Sequence, residues 1–161
     1  MSSTVSQQGS AGTAGAGDCT REQVDPRGPR FGGAVTTVVL ALALILVGTT
    51  AGTVLVAWQT VVFALGALVG LQAQPYGIFF RRVIRPRLAP PAELEDAAPP
   101  RFAQAVGLVF LVVALVASLA GSTVVATVAI AFALAAAFLN AAFGFCLGCE
   151  MYLLGKRLQH R

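Results

Sequence analysis

The chain has 161 residues, of which 57% are hydrophobic and 11% charged, with mean hydropathy +0.78 and a formal net charge of +4. A water-soluble domain carries about a quarter charged residues, so this composition cannot clothe its surface in solvated groups and excludes an ordinary soluble enzyme. No Asp, Glu, Lys or Arg occurs from Phe31 to Phe80 or from Phe102 to Cys149, and these two stretches are expected in lipid.

The first segment, rich in Ser, Gly, Thr and Gln, lacks the apolar mass that offsets ordering entropy. Residues 1–23 read as a disordered tail, and without an apolar core near the start no secretory leader is expected. The uncharged interval after Arg30 is too long for one crossing, which takes about 20 helical residues. A break at Gly48-Thr49-Thr50-Ala51-Gly52-Thr53 predicts helices over 31–48 and 53–73, with Gln74-Pro75 marking the exit. The second interval breaks near Gly121-Ser122 and predicts helices over 101–120 and 123–148. Residues 81–100, rich in proline and charge, form an interfacial connector in which a buried strand is not expected, and 158–161 form a short tail. The fold class is all-α, an integral membrane four-helix bundle of two hairpins within residues 24–157.

Orientation follows from the cations. All eleven Lys and Arg residues fall before the first helix, in the connector or after the fourth, and the hairpin tips carry none. An excess of basic residues marks the cytoplasmic face, so both termini and the connector are expected there. A pI near 9.5 then needs no nucleic-acid partner, because topology and anionic lipid head groups account for it.

Arg30-Phe31-Gly32-Gly33-Ala34-Val35 and Arg101-Phe102-Ala103-Gln104-Ala105-Val106 open the two hairpins. Tyr76 precedes Arg81-Arg82 and Tyr152 precedes Lys156-Arg157 at the exits. These matches suggest an internal parallel repeat about an axis along the membrane normal. Gly66 and Gly70, and Gly144 and Gly148, mark close helix packing. Gln59, Gln72, Gln104 and Asn140 read as structural hydrogen bonders, and Trp58 as part of an aromatic belt.

Chemistry centres on Gly144-Phe145-Cys146-Leu147-Gly148-Cys149-Glu150-Met151-Tyr152. On a helix continuing to residue 148, Cys146, Cys149 and Glu150 share one face near the cytoplasmic head groups. There the negative helix end and Glu150 oppose a thiolate, whereas Arg81, Arg82 and Lys156 are candidates to stabilise it. Gly144 and Gly148 could instead break the helix and free a tight loop. Two cysteines at this spacing suit a redox or sulfur-relay pair, half of a metal site completed by a second subunit, Cys19, His160 or Glu150, or inert packing. No phosphate loop, Ser/His/Asp set, His-rich metal cluster or intramembrane carboxylate is present, so no cofactor and no hydrolase, kinase, haem or proton-pump role is expected.

Val24-Asp25-Pro26-Arg27-Gly28-Pro29-Arg30-Phe31, Glu95-Asp96 before Pro100-Arg101-Phe102, and Leu139-Asn140 followed by the cysteine segment resemble a bacterial, largely actinobacterial membrane family, domain of unknown function 4395, over residues 24–157. The resemblance implies a multi-pass protein of the bacterial cytoplasmic membrane with a recurring Cys-x-x-Cys and thioredoxin-like or sulfurtransferase partners. The function expected is exchange of a cytoplasm-facing dithiol, Cys146 and Cys149, with a soluble carrier. A non-catalytic scaffold or transporter subunit, and a homo-oligomer, stay open.

Overall fold

A computed structural model describes residues 22–91 and 93–159. In chain order these form strand β1 (Gln23–Val24), helix α1 (Arg27–Ile45), helix α2 (Thr50–Ala64), which runs on through a π turn at Leu65–Val69, and helix α3 (Pro75–Phe79). Helix α3 continues through a π turn at Phe80–Ile84 and a 3-10 turn at Arg85–Arg87. Strand β2 (Glu95–Asp96), helix α4 (Ala98–Leu119), helix α5 (Thr123–Phe143) and helix α6 (Leu147–Gln159) follow. Four spans, Arg27–Ile45, Thr50–Val69, Ala98–Leu119 and Thr123–Phe143, are long and apolar enough to cross a membrane.

Strongly apolar sequence, charged only near the starts of α1 and α4, makes these four helices, since in hydrocarbon each backbone group must find its partner within the segment. All four contribute to one core of Leu40, Ala43, Val56, Leu111, Ala114, Ala129, Ile130 and Ala133. Half of those residues are alanine, so the backbones approach closely, which is the usual source of helix affinity where lipid competes with leucine. Many other large side chains point outward, among them Ile45, Leu68, Leu119, Val124 and Phe143, each more than 70% exposed. In water that apolar surface would aggregate; against acyl chains it is solvated.

The two halves pack as a pair. Helix α1 lies against α5, and its counterpart α4 lies against α2; α1 also packs on α2 and α4 on α5. Each half then folds a short helix back on its own first helix, α3 on α1 and α6 on α4. Phe31 stacks on Phe79 at 6.0 Å and meets Phe80 at a tilt at 5.8 Å, and Phe102 meets Tyr152 at 5.8 Å. Each first helix is entered through an aspartate: Asp25 Oδ1 accepts from Arg27 N and Asp96 Oδ1 from Ala98 N, both at 3.0 Å. The strands beside those aspartates join antiparallel, Gln23 opposite Asp96 and Val24 opposite Glu95. These contacts of one half thus have counterparts in the other, which is the arrangement expected of a parallel repeat.

Several boundaries differ from the sequence expectation. The tail expected over 1–23 lies outside the described residues except at its end, where Gln23 is strand. The connector carries a two-residue strand that is not buried, with Glu95 exposed, and its first residues are helical. Leu158 and Gln159 belong to α6 and not to a tail. The largest change concerns the fourth predicted helix, which ends at Phe143 and not at 148; a separate helix starts at Leu147.

Candidate functional site

The cysteine segment is built by that break. Gly144 takes φ +67 at the end of α5, a left-handed conformation that costs a residue with a Cβ about 1 to 2 kcal/mol. The N–H groups of Gly144 and Phe145 turn back to the carbonyls of Asn140 and Leu139 at 3.0 and 3.3 Å, so the helix closes and the chain changes direction. Cys146 then stands immediately before the first residue of α6. Its carbonyl accepts from Glu150 N at 3.0 Å, and its Sγ accepts from Cys149 N at 3.3 Å, the place a serine or aspartate oxygen takes in an ordinary helix cap. The two sulfurs are joined as a disulfide, with the Cα atoms 5.2 Å apart.

This placement reverses the electrostatic expectation. The cysteines do not sit at the negative end of a long helix; they begin a new one, where unpaired N–H groups and the positive dipole end favour negative charge. Glu150 lies exposed in the first turn of α6, where a carboxylate suits the dipole. Both cysteines are half-buried, and Gly148 between them is buried against α4. A Cβ on Gly148 would come within 2.5 Å of Ala103 Cα, so only glycine lets the first turn of α6 reach α4.

The candidate cations are distributed differently from one another. Lys156 stands 5.6 Å over the Tyr152 ring, two turns beyond Cys149 and about 20° from it around the helix. Arg81 donates to the Gln72 carbonyl at 2.7 Å and so serves the exit of the first half; Arg82 is exposed on the same turn. The cation beside the cysteine segment is Arg30, whose guanidinium carbon is 3.6 Å from where a Gly144 Cβ would be. Its counterpart Arg101 donates to the Ala67 carbonyl at 3.3 Å, so each half lays an arginine over the end of the other's second helix. Sequence reasoning passed over Arg30, although its match to Arg101 in the repeat was the available signal.

A second polar locus lies in the first half. Gln59, fully buried, donates from Nε2 to Thr36 Oγ1 at 2.9 Å, and its Oε1 accepts from the Tyr76 hydroxyl at 3.0 Å. Trp58 Nε1 donates to the same hydroxyl at 3.0 Å, so Trp58 is tied into a chain of hydrogen bonds and is not simply a belt residue. Gln74 donates to Gln104 at 3.4 Å, and Asn140 to the Pro29 carbonyl at 3.4 Å. Gln59, Gln104 and Asn140 therefore join helices to one another, as polar groups in lipid do. Gln72 is exposed and contributes its backbone carbonyl.

Among the described residues no group of three His, Cys, Asp or Glu side chains could hold a metal ion. Cys19 and His160 lie outside the described residues. A cavity of about 390 Å³ opens at the hairpin tips, lined by Thr49, Thr53, Ser118 and Thr123 among others, at the opposite end from the cysteines. The model of one family, domain of unknown function DUF4395, matches residues 24–157, and the chain belongs to that family. No match was found among curated proteins or among solved structures.

Proposed function

We propose that this member of the DUF4395 family exchanges thiols and disulfides with a soluble carrier through Cys146 and Cys149 at the cytoplasmic surface of a membrane. The carrying observation is the position of Cys146 Sγ at the start of α6, accepting the Cys149 N–H. A helix N-terminus stabilises thiolate over thiol, and a stabilised thiolate is also the better leaving group. Cytoplasmic placement rests on the cations. Arg27, Arg30, Arg81, Arg82, Arg85, Arg87, Arg101, Lys156 and Arg157 all flank the spans at the end that bears the cysteines. In a reducing compartment a disulfide is transient and catalytic, not structural.

The chemistry balances with a dithiol carrier of the thioredoxin-like type. A carrier thiolate attacks the Cys146 sulfur, and Cys149 departs with the bonding electron pair and takes up a proton. The carrier's second thiol loses its proton and attacks the mixed disulfide, releasing Cys146 as a thiolate on the amide of Cys149. Two electrons pass to the protein and the carrier leaves as a disulfide; the reverse sequence oxidises the pair. A sulfurtransferase bearing a persulfide would meet the same Cys146 thiolate.

The test uses full-length protein in membranes. Cys149→Ser is expected to trap a soluble thiol protein as a mixed disulfide on Cys146, whereas Cys146→Ser traps far less. Alkylation of the wild type is expected to rise sharply after mild reduction. Two thiols that stay unreactive in both redox states would leave the cysteines as packing residues of a membrane scaffold.

A further inference from the structure

Helix α6 carries an exposed apolar stripe. Leu147, Met151, Leu154 and Leu158 recur at intervals of four, three and four, so they share one side of the helix, and they are 40, 56, 58 and 65% exposed. The side that meets α4 is a different one. It bears the buried Gly148 against Ala103 and the half-buried Tyr152 against Phe102, about 100° around from the stripe. Cys149 and Lys156 lie about 180° from the stripe, and the exposed Glu150 and Arg157 point away from α4. Leu153 is the one leucine off the stripe.

We infer that α6 is a lipid-binding interfacial helix, lying in the head-group layer with Leu147, Met151, Leu154 and Leu158 in the acyl chains and Cys149 and Lys156 facing water. Two observations choose lipid as the occupant. The stripe is continuous with the outer surface of the bundle, since α5 ends only a few residues earlier at Phe143, itself 73% exposed, and Phe145 is 44% exposed. The flanking charges also suit an anionic membrane surface, because Lys156 and Arg157 fall in the last turns of α6. In the first half, exposed Phe79 on α3 likewise stands just before Arg81 and Arg82, with buried Phe80 between. Immersion of the stripe fixes the roll of α6 about its axis, and that roll aims the second sulfur out of the membrane.

The inference is independent of sulfur chemistry and is read without it. Full-length protein with Trp58→Phe is reconstituted in vesicles of phosphatidylcholine and phosphatidylglycerol, and a single tryptophan is placed on α6. Leu154→Trp is expected to be quenched by phospholipids brominated on the acyl chains about threefold more strongly than Arg157→Trp, with the reverse order for aqueous acrylamide. Met151→Trp serves as a second position on the same stripe should Leu154→Trp fail to fold. Equal quenching at the stripe and at Arg157 would overturn the inference. So would a stripe tryptophan shielded from both quenchers, which would mean that protein covers it.

Discussion

The two halves of the molecule share one plan and differ where each closes. In the first, α3 returns to α1 and plugs Tyr76 into a hydrogen-bonded chain with Gln59, Thr36 and Trp58. In the second, α6 returns to α4 through a glycine and an aromatic pair, with no such chain among the described residues, and near its start are two cysteines. A buried polar network specifies one arrangement and resists opening, because each separated group loses its partner in a medium without water. The second closure has no comparable lock, which leaves its covalent bond free to form and break without unseating a network. Under the proposed function, one half holds and the other reacts.

That contrast is broken first by the cysteines. Cys146→Ser is expected to slow exchange with a thiol carrier by about a hundredfold or more, as loss of a nucleophile does, while Gln59→Leu leaves the rate unchanged. Stopped-flow attack of each pre-reduced variant, in vesicles, on a carrier in its disulfide form measures it; comparable loss in the two would erase the distinction between the halves. Next, Gly148→Ala forces a methyl into the Ala103 backbone and is expected to cost about 2 kcal/mol of helix docking, seen as a lower midpoint of thermal unfolding and a slower closure of the disulfide. Gln59→Leu comes third. It leaves the Tyr76 hydroxyl and Thr36 short of a partner, for about 1 kcal/mol, measured by unfolding in mixed micelles.

The smallest effect separates the paired arginines. Arg30→Gln is expected to slow alkylation of reduced Cys146 about threefold, because Arg30 lies beside Gly144 at the entry to the cysteine segment. Arg101→Gln loosens the end of α2 at Ala67 and leaves that rate alone. Equal alkylation rates in the two variants would remove Arg30 from the site.

Much of the architecture was legible because the hydrocarbon layer imposes a one-dimensional rule. Charge-free stretches had to cross, their length required two crossings each, and small residues marked the tips. The cysteine pair stood out by residue type alone. Its surroundings did not: at one hundred degrees per residue a helix running through Gly144 looks as reasonable as one ending there. The stripe of Leu147, Met151, Leu154 and Leu158 beside Glu150, Lys156 and Arg157 was the clue to a separate amphipathic helix. Trp58 and Tyr76 escaped for a related reason, since nothing in their spacing says that α3 turns its tyrosine back toward α2.

By itself the sequence determined the four crossings, the pairing into hairpins and the end at which the cations and cysteines gather, because solvation by lipid acts on each segment separately. Only the tertiary structure decided that the cysteines open a helix and do not close one. Glycine is permitted either conformation at position 144, and the one it takes goes with Gly148 docking on Ala103, a contact between segments far apart in the chain.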